Sequence, residues 1–204
     1  LKEIQRIAKL ADFIYVRQKG PYGNATPVLS AKKVVDMEPF VVLWGDQFTW
    51  ANPSRLKQTL KVYEQYECPV FSAMKVNDEQ KKHCGVGRIA PFKNNIYKLS
   101  EIVEKPGPEN APSDLMVSGV YVFTPEIMPI LNSLKPGKDG ELWLVDAINI
   151  LCKQRECLAV EINNGTFYDT GNKLAYHKTV VDFMLSDPDI GQEMRTYIED
   201  KVKE

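Results

Sequence analysis

Apolar positions along the chain recur at helical spacing in some stretches and run unbroken in others, and the two kinds of stretch alternate. Leu1, Ile4, Ala8 and Ala11 recur at helical intervals, and the apolar run 13–16 (FIYV) after Asp12 predicts a strand. Residues 18–24 (QKGPYGN) form a Gly/Pro-rich turn. Asn24 is placed to cap a helix through Val28, Leu29, Ala31 and Val35, with Pro27 tolerated in its first turn. Residues 40–44 are apolar at every position, the pattern of a parallel strand covered on both faces, and they end in Gly45-Asp46. Asn52-Pro53 opens a helix with Leu56, Leu60 and Tyr63 on one face, and 69–76 follows as a strand. Residues 85–89 and 96–103, joined about Lys93-Asn94-Asn95, predict a hairpin or ribbon. A buried strand over 115–123 leads to Thr124-Pro125-Glu126, which starts a helix with Ile127, Ile130, Leu131 and Leu134 on its apolar face. After a loop at 135–140, a longer helix from Glu141 carries Leu142, Val145, Ile148 and Cys152. Strands at 158–162 and 166–168 flank the turn Asn163-Asn164-Gly165, and two terminal helices follow, divided at Asp187-Pro188-Asp189.

Strands alternating with helices predict an α/β three-layer sandwich with a mostly parallel sheet plus a small β-ribbon. Residues 1–186 are expected to form the core and 187–204 a C-terminal helix. The charge balance, 26 basic against 27 acidic residues over 204 positions, includes no basic run denser than pairs such as Lys32-Lys33, which disfavours a nucleic-acid polymer as partner. With 44% hydrophobic and 26% charged residues and no long apolar run, the expectation is a soluble protein with no membrane span. The charged N-terminal helix does not read as a signal peptide, so the expected setting is cytoplasmic. The 4 cysteines (Cys68, Cys84, Cys152, Cys157) lack a CxxC pair and read as reduced thiols, and His83-Cys84 has no second ligand pair to make a zinc site.

In such sheets ligands sit beyond the carboxyl ends of the strands, so the strand-ending residues are the ones to examine. Asp46 follows an apolar strand and a glycine. Asp169 follows Thr166-Phe167-Tyr168 and precedes Thr170-Gly171-Asn172-Lys173, which opens a helix. Two carboxylates delivered to one edge suit Mg²⁺ shared with phosphate oxygens, though either alone could merely cap a turn. Glu104-Lys105-Pro106 ends a strand at a Pro/Gly-rich loop. There a lysine can neutralise a phosphate and a carboxylate can take sugar hydroxyls, or the pair is only a solvated edge. Gly119 inside a strand marks a close approach of backbone or ligand. Gln18, with Gly20 and Gly23, could receive a base or be a surface loop.

The segments 16–31 (VRQKGPYGNATPVLSA), 41–46 (VVLWGD), 102–108 (IVEKPGP), 117–123 (VSGVYVF), 140–148 (GELWLVDAI) and 167–176 (FYDTGNKLAY) come in an order that resembles the bacterial UTP–glucose-1-phosphate uridylyltransferases. The similarity runs from about residue 13 to 183, and the EKP and DxGNKxxY patterns are its most specific parts. The resemblance implies a Rossmann-like fold of the nucleotide-diphospho-sugar transferase type. It also implies an enzyme making UDP-glucose and pyrophosphate from UTP and glucose 1-phosphate with Mg²⁺. By match, Gln18 and Gly23 would contact the uracil, Asp46 and Asp169 the magnesium, Glu104 the glucose hydroxyls and Lys105 the sugar phosphate. Gly119 would meet the sugar through its backbone, Glu141 and Asp146 would lie at or behind the sugar pocket, and Lys173 would approach the phosphates.

Two departures qualify the match. Ala25 and Thr26 stand where the family usually has a second glycine and a histidine, which leaves a thymidylyl- or guanylyltransferase open. No segment of the form GxGTRxxPxTKxxPK, which in the family cradles the triphosphate, occurs in this sequence, and its first residue is Leu. A chain cut from a longer enzyme is therefore expected, one that has little or no activity alone and that, with a sheet edge and an apolar face bared, pairs with another copy or is marginal in stability. A non-catalytic sugar-nucleotide binder is the alternative from a different class. A glycosyltransferase fits less well, because Asp46-Gln47-Phe48 replaces the usual Asp-x-Asp.

Overall fold

The computed structural model describes residues 1–137 and 139–203, so Lys138, within the loop expected at 135–140, and Glu204 lie outside the described residues. Short helices α1 (Lys2–Ala8), α2 (Ala25–Ser30) and α3 (Lys32–Val35) precede β1 (Phe40–Val42) and β2 (Gln47–Ala51). Helix α4 (Arg55–Tyr66) leads to β3 (Val70–Lys75), then β4 (Gly85–Lys93) and β5 (Ile96–Glu104). One turn, α5 (Gly107–Asn110), precedes β6 (Leu115–Phe123), followed by α6 (Ile127–Ser133) and α7 (Leu144–Gln154). The chain closes with β7 (Leu158–Glu161), β8 (Gly165–Asp169), α8 (Lys173–Ser186) and α9 (Gly191–Lys203).

Among the described residues the main sheet runs β1-β6-β3-β7-β5-β4. Its central strands alternate between two apolar clusters. Phe71, Ala73, Val117, Tyr121, Phe123 and Ala159 face α6, α7 and α2, whereas Val70, Met74, Val122, Leu158 and Val160 face Val62 of α4. Side chains of period two, buried on both faces, give the expected three layers. All nine residues of β6 are buried, as the unbroken run at 115–123 required.

The α/β class is as expected, but the strand directions are not. Among the described residues only β3 and β7 pair in parallel; β1–β6, β3–β6, β4–β5, β4–β6 and β5–β7 are antiparallel. An apolar run reports burial, not direction, so the run at 40–44 does not reveal that β1 pairs antiparallel to β6. Strand β1 is half-buried, three residues long and lies at the sheet edge. The hairpin about residues 93–95 does form, but β5 joins it to the main sheet through β7. The separate two-stranded sheet is instead β2 with β8, and β2 was not foreseen. Strands β7 and β8 therefore flank residues 163–165 without pairing with each other. Residues 13–16 form no strand, and Tyr15 is 91% exposed. An extended segment needs a neighbour for its N–H and C=O groups, and none of the described strands lies beside this one.

Candidate active site

Asp46 and Asp169 meet because of the unforeseen ladder. In the β2–β8 register Gln47 stands opposite Asp169, which brings the end of β8 alongside the residue preceding β2. The Thr170 N–H and hydroxyl both donate to the Asp46 carbonyl, at 2.7 and 2.8 Å, and the Gly171 N–H donates to Asp169 Oδ1 at 3.0 Å. A Cβ placed on Gly171 would stand 2.7 Å from Asp46 Oδ2 and 3.3 Å from Asp169 Oδ1. The two carboxylates thus converge on one point, and only a glycine leaves that point open.

The described residues contain no cluster of three or more His, Cys, Asp or Glu side chains that could enclose a metal. A two-carboxylate site still fits a hard cation of the magnesium type, which keeps several waters and takes substrate phosphate oxygens for the rest of its shell.

The neighbouring part of the site is built on an irregularity of β6. Phe71 pairs with Tyr121 and Ala73 with Val117, so Ser72 of β3 faces three residues, Ser118, Gly119 and Val120. This bulge turns Gly119 toward Trp44, at the end of the segment carrying Asp46. A Cβ on Gly119 would stand 2.8 Å from Trp44 Cδ1. The indole packs edge-on to Tyr121, with ring centroids 6.2 Å apart, and burial pushes the Tyr121 phenol up to about 12. The Ser118 hydroxyl donates to Gln47 Oε1 at 3.0 Å, which joins the bulge to the strand that follows Asp46.

Glu104 ends β5 across the sheet, and its Oε2 is 3.1 Å from where a Cβ of Gly85 would lie. It lines a cavity of about 200 Å³ with Trp143, Val145 and Asp146. Part of the residue remains open to solvent, but desolvation of its carboxyl raises the pKa, with the Lys105 charge opposing. Lys105 adopts a left-handed backbone (φ 47°) and donates its N–H to the Cys84 carbonyl at 3.0 Å. Its side chain is exposed, and no hydrogen bond or ion pair joins it to Asp46 or Asp169.

Gly23 has φ +112°, and a Cβ there would run into the Leu142 backbone. Around it Leu142 N–H donates to the Tyr22 carbonyl (2.8 Å), Ala25 N–H to the Leu142 carbonyl (3.1 Å) and Leu144 N–H to Asn24 Oδ1 (2.7 Å). Asn24 therefore caps α7 rather than α2, and residues 21–26 are fastened to the segment carrying Glu141. Glu141 is half-buried there, its N–H donating to Asp139 Oδ1 at 3.1 Å. Gln18 is exposed without a hydrogen-bond partner among the described residues, and Lys173 is exposed at the first position of α8, beyond the Asn172 cap. The structure thus brings together Asp46 with Asp169, Gly119 with Trp44, Glu104 with Asp146, and Gly23 with the Glu141 segment. It leaves Gln18, Lys105 and Lys173 extending into solvent. Sequence reasoning missed Trp44, Gln47, Tyr121 and Trp143. Of these only Trp44, preceding Gly45-Asp46 at a strand end, carried a local signal.

The sequence matches the Nucleotidyl transferase family over residues 2–184. It is 34% identical over 203 residues to the UTP–glucose-1-phosphate uridylyltransferase YngB of Bacillus subtilis, covering 100% of this chain and 68% of that protein. It is 39% identical over 191 residues to a UTP–glucose-1-phosphate uridylyltransferase of Streptococcus pyogenes, covering 90% of this chain and 62% of that one. A solved structure of UDP-glucose pyrophosphorylase complexed with UDP-glucose superposes with a TM-score of 0.85 at 32% identity, covering 91% of this chain and 71% of that chain. Family match, relatives and shared architecture agree: the chain belongs to the nucleotidyl transferase family.

Proposed function

We propose that the chain belongs to an enzyme that makes UDP-glucose and pyrophosphate from UTP and glucose 1-phosphate. The observation that carries this reading is the convergence of Asp46 and Asp169 at Gly171, joined through Gln47 and Ser118 to the bulge at Gly119, which lies under the Trp44 indole. Similarity to uridylyltransferases and to a structure complexed with UDP-glucose supports the choice of substrates.

In the reaction an oxygen of the sugar phosphate attacks the α-phosphorus of UTP as the bond to pyrophosphate breaks, so the protein chiefly positions and neutralises anions. Asp46 and Asp169 would hold Mg²⁺, which when bound shields phosphate charge. Glu104, its carboxyl partly desolvated, accepts hydrogen bonds from glucose hydroxyls, and the sugar reaches the strand backbone at Gly119 only when the half-buried Trp44 indole over it swings aside. Lys105 meets the sugar phosphate and Lys173 the nucleotide phosphates; both are exposed and free of ion pairs among the described residues, so each can turn toward an anion. Gln18 and Gly23 form the uracil edge, and Glu141, on the segment fastened to residues 21–26, lies with Asp146 at or behind the sugar pocket. Ala25 and Thr26 are buried in the packing of residues 21–26, Thr26 donating to the Pro21 carbonyl at 2.7 Å.

The 204-residue polypeptide assayed alone is expected to turn over little, because it has no match to the triphosphate-cradling segment. It is expected to self-associate through the exposed Phe13, Ile14, Tyr15 and Leu43. A cytoplasmic setting, where UTP is made, accompanies this reading; among the described residues no helix is long and apolar enough to cross a membrane.

The test is calorimetric titration of the chain with UDP-glucose, dTDP-glucose and GDP-mannose in MgCl₂. UDP-glucose should bind most tightly, and Asp46→Asn or Asp169→Asn should each weaken it about tenfold or more, the size expected for a lost contact to a charged group. Equal binding by wild type and both variants, or preference for another base, refutes the assignment.

A further inference from the structure

Arg55 is the most anomalous charged residue outside the roles given above. It opens α4, where an arginine ordinarily extends into solvent, yet only 4% of it is exposed. No carboxylate pairs with it among the described residues. Its guanidinium is shared among neutral acceptors instead. Nε donates to Ser72 Oγ at 2.7 Å, one terminal nitrogen donates to Thr49 Oγ1 at 3.3 Å, and the other donates to the Ser118 carbonyl. Burial lowers its pKa to about 10, which leaves it charged at neutral pH. A buried cation without a counter-ion is costly, and an apolar side chain of similar size would commonly fill such a place at lower cost.

What the arginine supplies is visible at β6. Where Ser72 faces three residues, the ladder is broken, and carbonyls that a regular strand would pair are left inside the sheet. The Ser72 hydroxyl lies 2.7 Å from the Ser118 carbonyl and 3.1 Å from that of Val120, while Arg55 donates both to the Ser118 carbonyl and to the Ser72 hydroxyl. The Ser118 and Val120 carbonyls flank Gly119, the residue the bulge turns toward Trp44, so the Ser72 hydroxyl spans it and Arg55 holds its Ser118 side. The third acceptor, Thr49, belongs to β2 and stands opposite Phe167 of β8, so the same side chain reaches the ribbon that brings Asp46 to Asp169.

We propose that Arg55 is a positioning residue for the sugar end of the site. By drawing the Ser118 carbonyl inward and holding Thr49, it fixes the bulge that sets Gly119 against Trp44 and sets its place relative to the Asp46–Asp169 pair. The proposal rests on the sugar-nucleotide reading above. UDP-glucose and UDP differ only in the sugar, so a residue that shapes the sugar end affects the first ligand more than the second.

The experiment compares wild type, Arg55→Lys, Arg55→Met and Ser72→Ala by calorimetry with UDP-glucose and with UDP in MgCl₂. Hydrogen exchange of the peptide spanning 115–123 is followed in parallel. Arg55→Met should raise the Kd for UDP-glucose about tenfold or more and that for UDP less than about threefold, and should speed exchange over 115–123. Arg55→Lys should recover part of both effects, and Ser72→Ala, a smaller change at a fully buried site, should move them the same way but less. Equal losses for the two ligands, a lysine no better than methionine, or unchanged exchange over 115–123 would each overturn the proposal. A wild-type chain that binds neither ligand, while exchange responds to Arg55→Met as stated, counts against the sugar-nucleotide reading and not against the hold of Arg55 on the bulge.

Discussion

Adding one methyl group at Gly119 tests whether the β6 bulge and the indole beside it are a fitted pair. In Gly119→Ala the new Cβ would stand 2.8 Å from Trp44 Cδ1 and 2.9 Å from Nε1, well inside the roughly 3.5–4.0 Å at which such atoms rest. Gly119 does not occupy the left-handed region, so alanine adds no backbone strain and the whole effect comes from the contact. Overpacking of this kind costs about 1–3 kcal/mol. The low end is expected here, because Trp44 is only half-buried and can swing aside. In doing so it gives up its edge contact with Tyr121, a pair worth about 0.5–1.5 kcal/mol. For a chain of this length each kcal/mol lowers Tm by about 2–4 °C. The assay is urea denaturation of wild type, Gly119→Ala, Trp44→Ala and the double variant. Gly119→Ala should cost about 1–3 kcal/mol in the wild-type background and under about 0.5 kcal/mol beside Trp44→Ala, since the obstacle is then gone. The same cost in both backgrounds would show that the methyl group meets something other than the indole, and the described geometry would be wrong.

Gly23→Ala should be worse than Gly119→Ala, by roughly 3 kcal/mol or more in total, because its φ is positive and the obstacle is the Leu142 backbone, which trimming a side chain cannot relieve. Limited proteolysis within residues 21–26 should become fast in that variant, and undiminished protection would refute the account. Asn24→Ala should cost about 1 kcal/mol by removing the cap on Leu144, with faster amide exchange confined to the start of α7; a change confined to α2 would mean the cap was misassigned. Glu104 supplies a pH signature. Its folded pKa is raised above the ordinary carboxylate value, so between the two values the folded state holds the extra proton. Stability from this group is therefore present at acid pH, falls as pH rises from the unfolded to the folded value, and stays lost above it. Glu104→Gln should flatten that part of the stability profile and leave the chain at least as stable at neutral pH while weakening binding of glucose 1-phosphate. Urea midpoints measured from about pH 4 to 7 check this, and an unchanged slope in the variant would contradict it.

Strands and helices with strong local periodicity were legible in the residues themselves. Residues 115–123 are apolar or small throughout and form β6 with those bounds, and the turn at Lys93-Asn94-Asn95 closes the β4–β5 hairpin, with Asn94 in the left-handed conformation at φ 51°. What local reading missed was set by pairing at a distance. The segment Gln47–Ala51 reads as a loop because its alternation is short and mixes polar with aromatic residues. It becomes a strand only because β8 lies beside it. Residues 13–16 show the converse, since they have the composition of a buried strand but no neighbour among the described elements. Arg55 could not have been placed from its surroundings in the sequence, as a cation in the first turn of an amphipathic helix reads as a solvated residue. Its burial follows from the unpaired Ser118 carbonyl, which exists only once β6 has bulged.

The candidate residues that proved adjacent are those tied by such distant pairing, and the same pairing explains why their spacing in the chain carries no information. Asp46 and Asp169 each end a segment whose side chains fix its own depth in the fold, but their meeting depends on the register of Gln47 with Asp169. A slip of one residue in that ladder would turn the Phe48–Tyr168 stack, with ring centroids 5.1 Å apart, away from Phe183 of α8. The apolar face of the ribbon thus sets the register, and the register sets the carboxylates. By contrast Gln18, Lys105 and Lys173 stand on loops or a helix end where no ladder holds the side chain, so the fold does not fix where their side chains lie. The parts of the site expected to bind metal and sugar are therefore built into the sheet and Gly23 is fastened to the Leu142 segment, whereas Gln18 and the two lysines are left to adjust around the ligand expected there.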